Sequence, residues 1–292
     1  MALLTKVKTR MAVHAHRKVR GLLDGAYASV QLGRSMDFFD LREYVTGDDV
    51  KDIDWKASAR RGDLLVKRFV ADRKHTIALA VSASRTMAAM CDADATKREV
   101  ATLAAGVLGW LAIRHGDWVT LTHGNSDGVQ GSRPSSREDA LERMLQSLDA
   151  SCLPGSPDPD LTRVLEHVVR TVRRRTILVV IADDANLDET QRRLLNRLRA
   201  QHEVLFLTIG DLDPTDPALG RALVDQPTGQ AWPGFLRDAT LHEEVAQRTT
   251  ERHALRAGHL DRLGIAHGHI ATEAEVVGSI FALLERHRQA RR

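Results

Sequence analysis

The chain has 292 residues, enough to bury an ample core as one large domain or two small ones. Its 42 Lys and Arg against 39 Asp and Glu leave a formal charge of +3 with a pI near 9.0, too balanced a sum to make it a dedicated nucleic-acid protein. Two cysteines, Cys91 and Cys152, with no Cys-x-x-Cys pair, point to structural thiols in a reducing, cytoplasmic setting, not to a disulfide framework or a zinc site.

No stretch reaches the length of apolar residues that a membrane span requires. The N-terminal MALLTKVKTRMAVHAHRKVRGLL is basic but lacks the uninterrupted apolar core of a signal peptide. Residues 1–32 are expected to form a basic helical extension. Leu3, Leu4, Val7, Met11 and Val19 line one side, and Lys6, Lys8, Arg10, Arg17, Lys18 and Arg20 surround it. That face is expected to pack on the domain that follows; the alternative is peripheral contact with a membrane, for which the apolar face is thin.

Leu64 to Val70 reads as a strand after the Gly62-Asp63 turn. Thr76 to Ser82 is a continuous apolar run, as expected of a strand buried on both faces. Ala93 to His115 has helical periodicity and is stopped by Gly116; Trp118 to His123 is the next strand. Ser135-x-x-Glu138 has the form of a capping box opening a helix to about Asp149. Leu161 to Val172 and Asp188 to Ala200 are predicted helices around a second buried strand, Thr176 to Ala182. Glu203 to Ile209 is a third buried strand, and Asp211 to Gln230 an irregular excursion. Helices over His242 to Leu263 and Glu273 to Arg288 flank a short strand at Ala266 to Ile270. Strands spaced by helices predict an α/β fold, with a mostly parallel central sheet covered by helices on both faces.

One stretch has neither period. Arg42 to Arg61, REYVTGDDVKDIDWKASARR, is dense in opposite charges with Tyr44, Ile53 and Trp55 embedded among them. A large aromatic among paired charges suggests a packed, hydrogen-bonded segment, so Trp55 is expected to be buried, its neighbours fixing the segment against the sheet. The surrounding Gly33 to Arg73 resembles the signature of the domain of unknown function 58 family. It has Phe39, Leu41, Arg42, Glu43, Tyr44, Gly47, Asp48, Asp49, Ile53, Asp54, Trp55, Ser58, Ala59 and Arg60 at the signature positions. The C-terminal RLGIAHGHIATEAEVVGSIFALLERH is similar to the family's ending. The resemblance implies that residues 33–292 are one von Willebrand factor A-like (Rossmann-like) domain that includes the signature segment 33–73. It also implies a partner, a MoxR-type AAA+ ATPase. Many relatives carry membrane helices ahead of this domain, and the lack of one here implies a soluble form.

In a doubly wound sheet, ligands bind beyond the carboxyl ends of the strands. There the resemblance implies a divalent-metal site, whose first strand ends in Asp-x-Ser-x-Ser. This chain has Ser82, Ser84 and Thr86, so the two hydroxyls remain and the leading carboxylate does not. Asp183 takes the place of the second metal-associated Asp, and Pro159 stands where a Thr is wanted, followed by Asp160. Asp184 and Asp160 are the other nearby carboxylates, and Arg85 adds an opposing charge. Hard cations such as Mg²⁺ need charged oxygen ligands to offset dehydration, so the site is read as degenerate, with no cofactor held.

Enzyme motifs are absent. His242-Glu243-Glu244 continues to Ala246 and so is not His-Glu-x-x-His, and there is neither a P-loop nor a Gly-x-Ser-x-Gly elbow. His267 and His269 share one face of a strand, a geometry metals can use, but without an evident carboxylate partner they are read as ordinary strand histidines. Arg173, Arg174 and Arg175 are read as solvated charges at a helix end. The function expected is a non-enzymatic adaptor acting with the ATPase. The competing reading is a metal-dependent ligand-binding domain or hydrolase using Asp183 and the nearby hydroxyls.

Overall fold

The computed structural model describes residues 2–17, 40–45, 53, 55–68, 75–217, 219, 223–225, 228–231, 233 and 238–290. They divide into two compact units, Met1–Val30 with His75–Arg292, and Gln31–Lys74. The larger unit opens with helix α1, Leu3–Arg17. Its apolar face is spent on the core: Leu4, Val7 and Met11 are buried in the same cluster as the central sheet. The surface a membrane anchor would present is therefore covered by protein. The carboxylate of Glu142 accepts from the free amides of Leu3 and Leu4 at 3.0 and 2.7 Å, fixing the helix start.

The smaller unit is a hairpin closed by a helix. Strand β1, Asp40–Glu43, pairs antiparallel with β2, Leu65–Arg68, with Asp40 opposite Arg68, and α2, Trp55–Arg61, lies between them in sequence. Ile53, Ser58 and Leu65 are buried, and the Ser58 hydroxyl accepts from the Leu65 amide at 2.8 Å. Gly62 turns the chain after α2 with a φ of 86°, which suits glycine. Trp55 corrects the sequence reading. It is 63% exposed, because Ile53 and Ser58 take the inward positions at the start of this short helix. Of the other signature residues, Arg42 lies on β1, Glu43 and Arg60 are exposed and Tyr44 is half-buried. Gly47, Asp48, Asp49 and Asp54 lie outside the described residues, as do Val19 and the end of the strand predicted to Val70.

The larger unit resumes with β3, Thr76–Ser82, then α3, Lys97–Arg114, β4, Trp118–Gly124, and β5, Val129–Gly131. Helices α4, Glu138–Ala150, and α5, Leu161–Thr171, lead to β6, Ile177–Asp183. Helix α6, Glu189–Gln201, β7, Glu203–Ile209, α7, Ala239–Arg262, β8, Ala266–Ile270, and α8, Val276–Gln289, complete it. The strands form one six-stranded sheet in the order β5-β4-β3-β6-β7-β8. All neighbours are parallel except the β4–β5 hairpin.

Strand alternation divides the core in two. Ile77, Leu79, Val81, Val179, Ile181, Leu205 and Leu207 face α1, α3, α4 and α8, whereas Ala78, Ala80, Leu178, Val180 and Phe206 face α5, α6 and α7. Because both faces are covered, the central strands read as unbroken apolar runs. Helix α3 is bedded in the first layer and opened by a capping box between Thr96 and Glu99. Glycines let its neighbours approach: a β-carbon at Gly106 would meet Val7 Cγ2 at 2.5 Å, and one at Gly109 would meet Leu141 Cδ1 at 2.6 Å. The capping box expected at Ser135 is not formed. Helix α4 starts at Glu138 with Arg137 as its N-cap and no side-chain cap. The Ser135 backbone is instead bridged to Val119 at the sheet, which holds it extended. Among the described residues, no helix is long and apolar enough to cross a membrane.

Candidate functional site

Strands β3, β6 and β7 end on the same side of the sheet, and a cleft of about 720 Å³ opens beyond them. Its walls include Thr86, Met90, Lys97, Asp183, Leu212 and Val224. Ser82, the last residue of β3, is buried, as is Ser84, and Thr86 sits in the 3-10 turn Arg85–Ala88 that follows. Three of the residues singled out from the sequence do meet. Thr86 Oγ1 donates to Asp183 Oδ2 at 2.7 Å, and the Ser84 and Thr86 hydroxyl oxygens are 2.9 Å apart. Each hydroxyl has one proton, so once Thr86 gives its own to Asp183, Ser84 must donate to Thr86. The chain of donors ends on a single carboxylate and satisfies itself.

The other residues are held elsewhere. Asp160 is the N-cap of α5, accepting from the Arg163 amide at 2.8 Å and pairing with the Arg163 side chain at 3.5 Å. Arg85 is 2.5 Å from the exposed Asp158. One carboxylate and two neutral hydroxyls do not supply the charged oxygen shell that Mg²⁺ demands, so these residues do not fit the metal that the resemblance implied. The cleft also holds an ion pair that sequence reasoning missed. The ammonium of Lys97, 3% exposed, is bonded to Asp211, which joins α3 to the segment following β7.

Asp183 and Asp184 are neighbours at a strand end, so their side chains leave on opposite faces. Asp183 turns to Thr86, and Asp184 turns to α7. There it pairs with Arg252 at 2.9 Å, His253 at 2.7 Å and Arg256 at 2.5 Å. Burial alone would push the Asp184 carboxyl up, but the His253 hydrogen bond and the Arg256 charge outweigh it and hold the group below its ordinary value. His269, on β8, stacks obliquely on His253 with ring centroids 4.5 Å apart.

Asp184, His253 and His269 place one ligand atom each within 4.8 Å of one another, a spacing that could hold a metal ion. Local charge opposes it. The carboxylate is shared by two guanidiniums, so Asp184, Arg252 and Arg256 together are already cationic. A dication about 5 Å from one guanidinium is repelled by about 7 kcal/mol at an effective dielectric of about 20. The signal for this cluster was present as Arg252, His253 and Arg256 on one helical face, but their partner on β6 is distant in sequence. His267, paired with the exposed Asp261 at 3.1 Å, does not join the group. Arg173, Arg174 and Arg175 are all exposed, and Arg175 pairs with Glu203 at 3.3 Å.

The architecture defines an α/β protein with a six-stranded, mostly parallel sheet flanked by helices, and a cleft at the strand ends. Residues 40–254 match the family described as "Protein of unknown function DUF58", and the chain belongs to that family. Uncharacterized proteins of Mycobacterium tuberculosis and Mycobacterium bovis are each 26% identical over 247 residues, spanning 82% of this chain and 75% of theirs. Among solved structures, an aerotolerance-related membrane protein from Bacteroides fragilis aligns with a TM-score of 0.43 and 13% identity, over 72% of this chain and 98% of that one. A pilus adhesin from Lactobacillus rhamnosus GG aligns with a TM-score of 0.40 and 9% identity, over 75% and 30% respectively.

Proposed function

We propose that this chain is a non-enzymatic protein-binding module of the von Willebrand factor A type, acting in the cytoplasm with a MoxR-type AAA+ ATPase that supplies the nucleotide hydrolysis. The observation that carries the reading is Trp55, an exposed indole inside the family signature. Val45 and Leu64, in the same unit, are also exposed, at 61% and 46%. Trp is enriched among the few residues that dominate protein interfaces, and apolar groups left in water on a small unit suit a partner that covers them. The Ser84–Thr86–Asp183 chain at the strand ends supports the von Willebrand A assignment with a degenerate metal position. It also favours the second reading, a metal-dependent binder or hydrolase using Asp183, but that reading lacks a second carboxylate in the chain.

The test is co-purification of this chain with the MoxR-type ATPase of its host, at low and high salt, followed by ATPase assays with and without it. Association that weakens as salt rises, and a change in the partner's ATPase rate, are expected. Trp55→Ala should keep its stability within about 1 kcal/mol of native, as for other exposed positions, and lose association. Failure to associate at either salt, or nucleotide hydrolysis by this chain alone, would refute the adaptor reading.

A further inference from the structure

On the α7 side of the sheet, a second cavity of about 260 Å³ lies between β7, β8 and α7. Its polar lining is Thr208, His253, Arg256, His267, His269 and Arg286, so every titratable group on its wall is basic. Arg256 and Arg286 are permanent cations. Arg256 donates to the Ala185 carbonyl and pairs with Asp184, which also takes Arg252. Arg286 donates one N–H to the His267 carbonyl at 2.9 Å, and no carboxylate among the described residues pairs with it. Two guanidiniums and three imidazoles thus converge on one small space, and Asp184, the buried carboxylate beside them, is already shared.

The tautomer of His269 follows from its neighbours. Thr208 donates its hydroxyl proton to the Gly268 carbonyl at 3.2 Å, so its oxygen must accept from His269 Nδ1, 3.0 Å away. A second proton on this ring is disfavoured by burial first, and then by His253 and Arg256, although Asp184 and Asp211 act the other way. The ring therefore stays neutral, and the positive field of the cavity comes from Arg256 and Arg286, a field that attracts an anion.

We propose that this cavity binds a small phosphate-class oxyanion, either inorganic phosphate or the phosphate of a small monoester, with Arg286 as donor, Arg256 as fixed charge and the imidazoles lining the space. Planar guanidiniums match the geometry of such oxyanions and bind them through charge-assisted hydrogen bonds. The cavity shares no residue with the strand-end cleft or with the unit that carries Trp55, so it stands or falls independently of the adaptor reading.

Calorimetric titration of the full chain with inorganic phosphate tests it, with glycerol phosphate as a second probe and Zn²⁺ as a third. Saturable phosphate binding at up to about 10 mM is expected, weakened about tenfold or more in Arg286→Ala and partly restored in Arg286→Lys. Arg286 is exposed, so its variants should melt with the native protein; His267→Gln is the second variant, should either melt early. Tighter binding of glycerol phosphate than of phosphate would assign the site to a monoester. Absence of saturable phosphate binding, equal affinity in Arg286→Ala, or saturable Zn²⁺ binding in place of phosphate would overturn the proposal.

Discussion

The Asp184 network makes a quantitative test of how this domain is held together. Asp184 and Arg256 have side chains 2% and 5% exposed and stand 2.5 Å apart, whereas Arg252 and His253 are 36% and 32% exposed. In Asp184→Ala the two half-exposed groups can turn to water, but Arg256 stays buried without its counter-charge. Breaking such a pair from one side costs roughly 3–5 kcal/mol, a large share of the roughly 5–15 kcal/mol that holds a domain. Replacing both partners, Asp184→Leu with Arg256→Met, removes the uncompensated charge and should recover most of the loss, a strong non-additivity. Urea melts at pH 7 of Asp184→Leu, Arg256→Met and the double variant read this directly. The carboxyl is held below its ordinary value in the folded state, so its contribution is complete above the unfolded value near 4 and fades as pH falls through the folded one. The gap between native protein and Asp184→Asn should therefore close only below about pH 4. A loss under about 1 kcal/mol in Asp184→Ala, the size typical of exposed pairs, would refute the reasoning, as would additive behaviour of the double variant.

Three further outcomes are expected. Gly106→Ala should lose about 1–2 kcal/mol by urea melt, since overpacking against the buried Val7 outweighs the better helix propensity of Ala; unchanged stability would mean α1 yields at no cost. Burial pushes the thiols of Cys91 and Cys152 up to about 12, so neither should react with a thiol reagent at mildly alkaline pH until urea unfolds the chain. Rapid labelling of the native protein would contradict their placement in the core. Calorimetric titration with Mg²⁺ should show no tight site at the strand ends, and a saturable one abolished by Asp183→Ala would restore the metal-dependent reading.

The sequence by itself determined the layered α/β plan. Thr76–Ser82, Ile177–Asp183 and Glu203–Ile209 are legible as strands because burial on both faces removes polar residues from a strand altogether. The family was legible too, in the spacing of the signature residues. Local pattern failed where a tertiary contact competed with it. Ser135 has the sequence of a helix cap, yet its backbone is claimed by Val119. Trp55 is bulky enough for a core, yet the positions beside it are taken by Ile53 and Ser58. The cluster around Asp184 was beyond the sequence for another reason. Asp184 and His253 are 69 residues apart, and only the path of α7 across the sheet brings them to 2.7 Å. Periodicity reports which face a side chain leaves from, since that depends on its own strand or helix. Which partner it finds there depends on how distant elements pack, and that was decided by the tertiary structure alone.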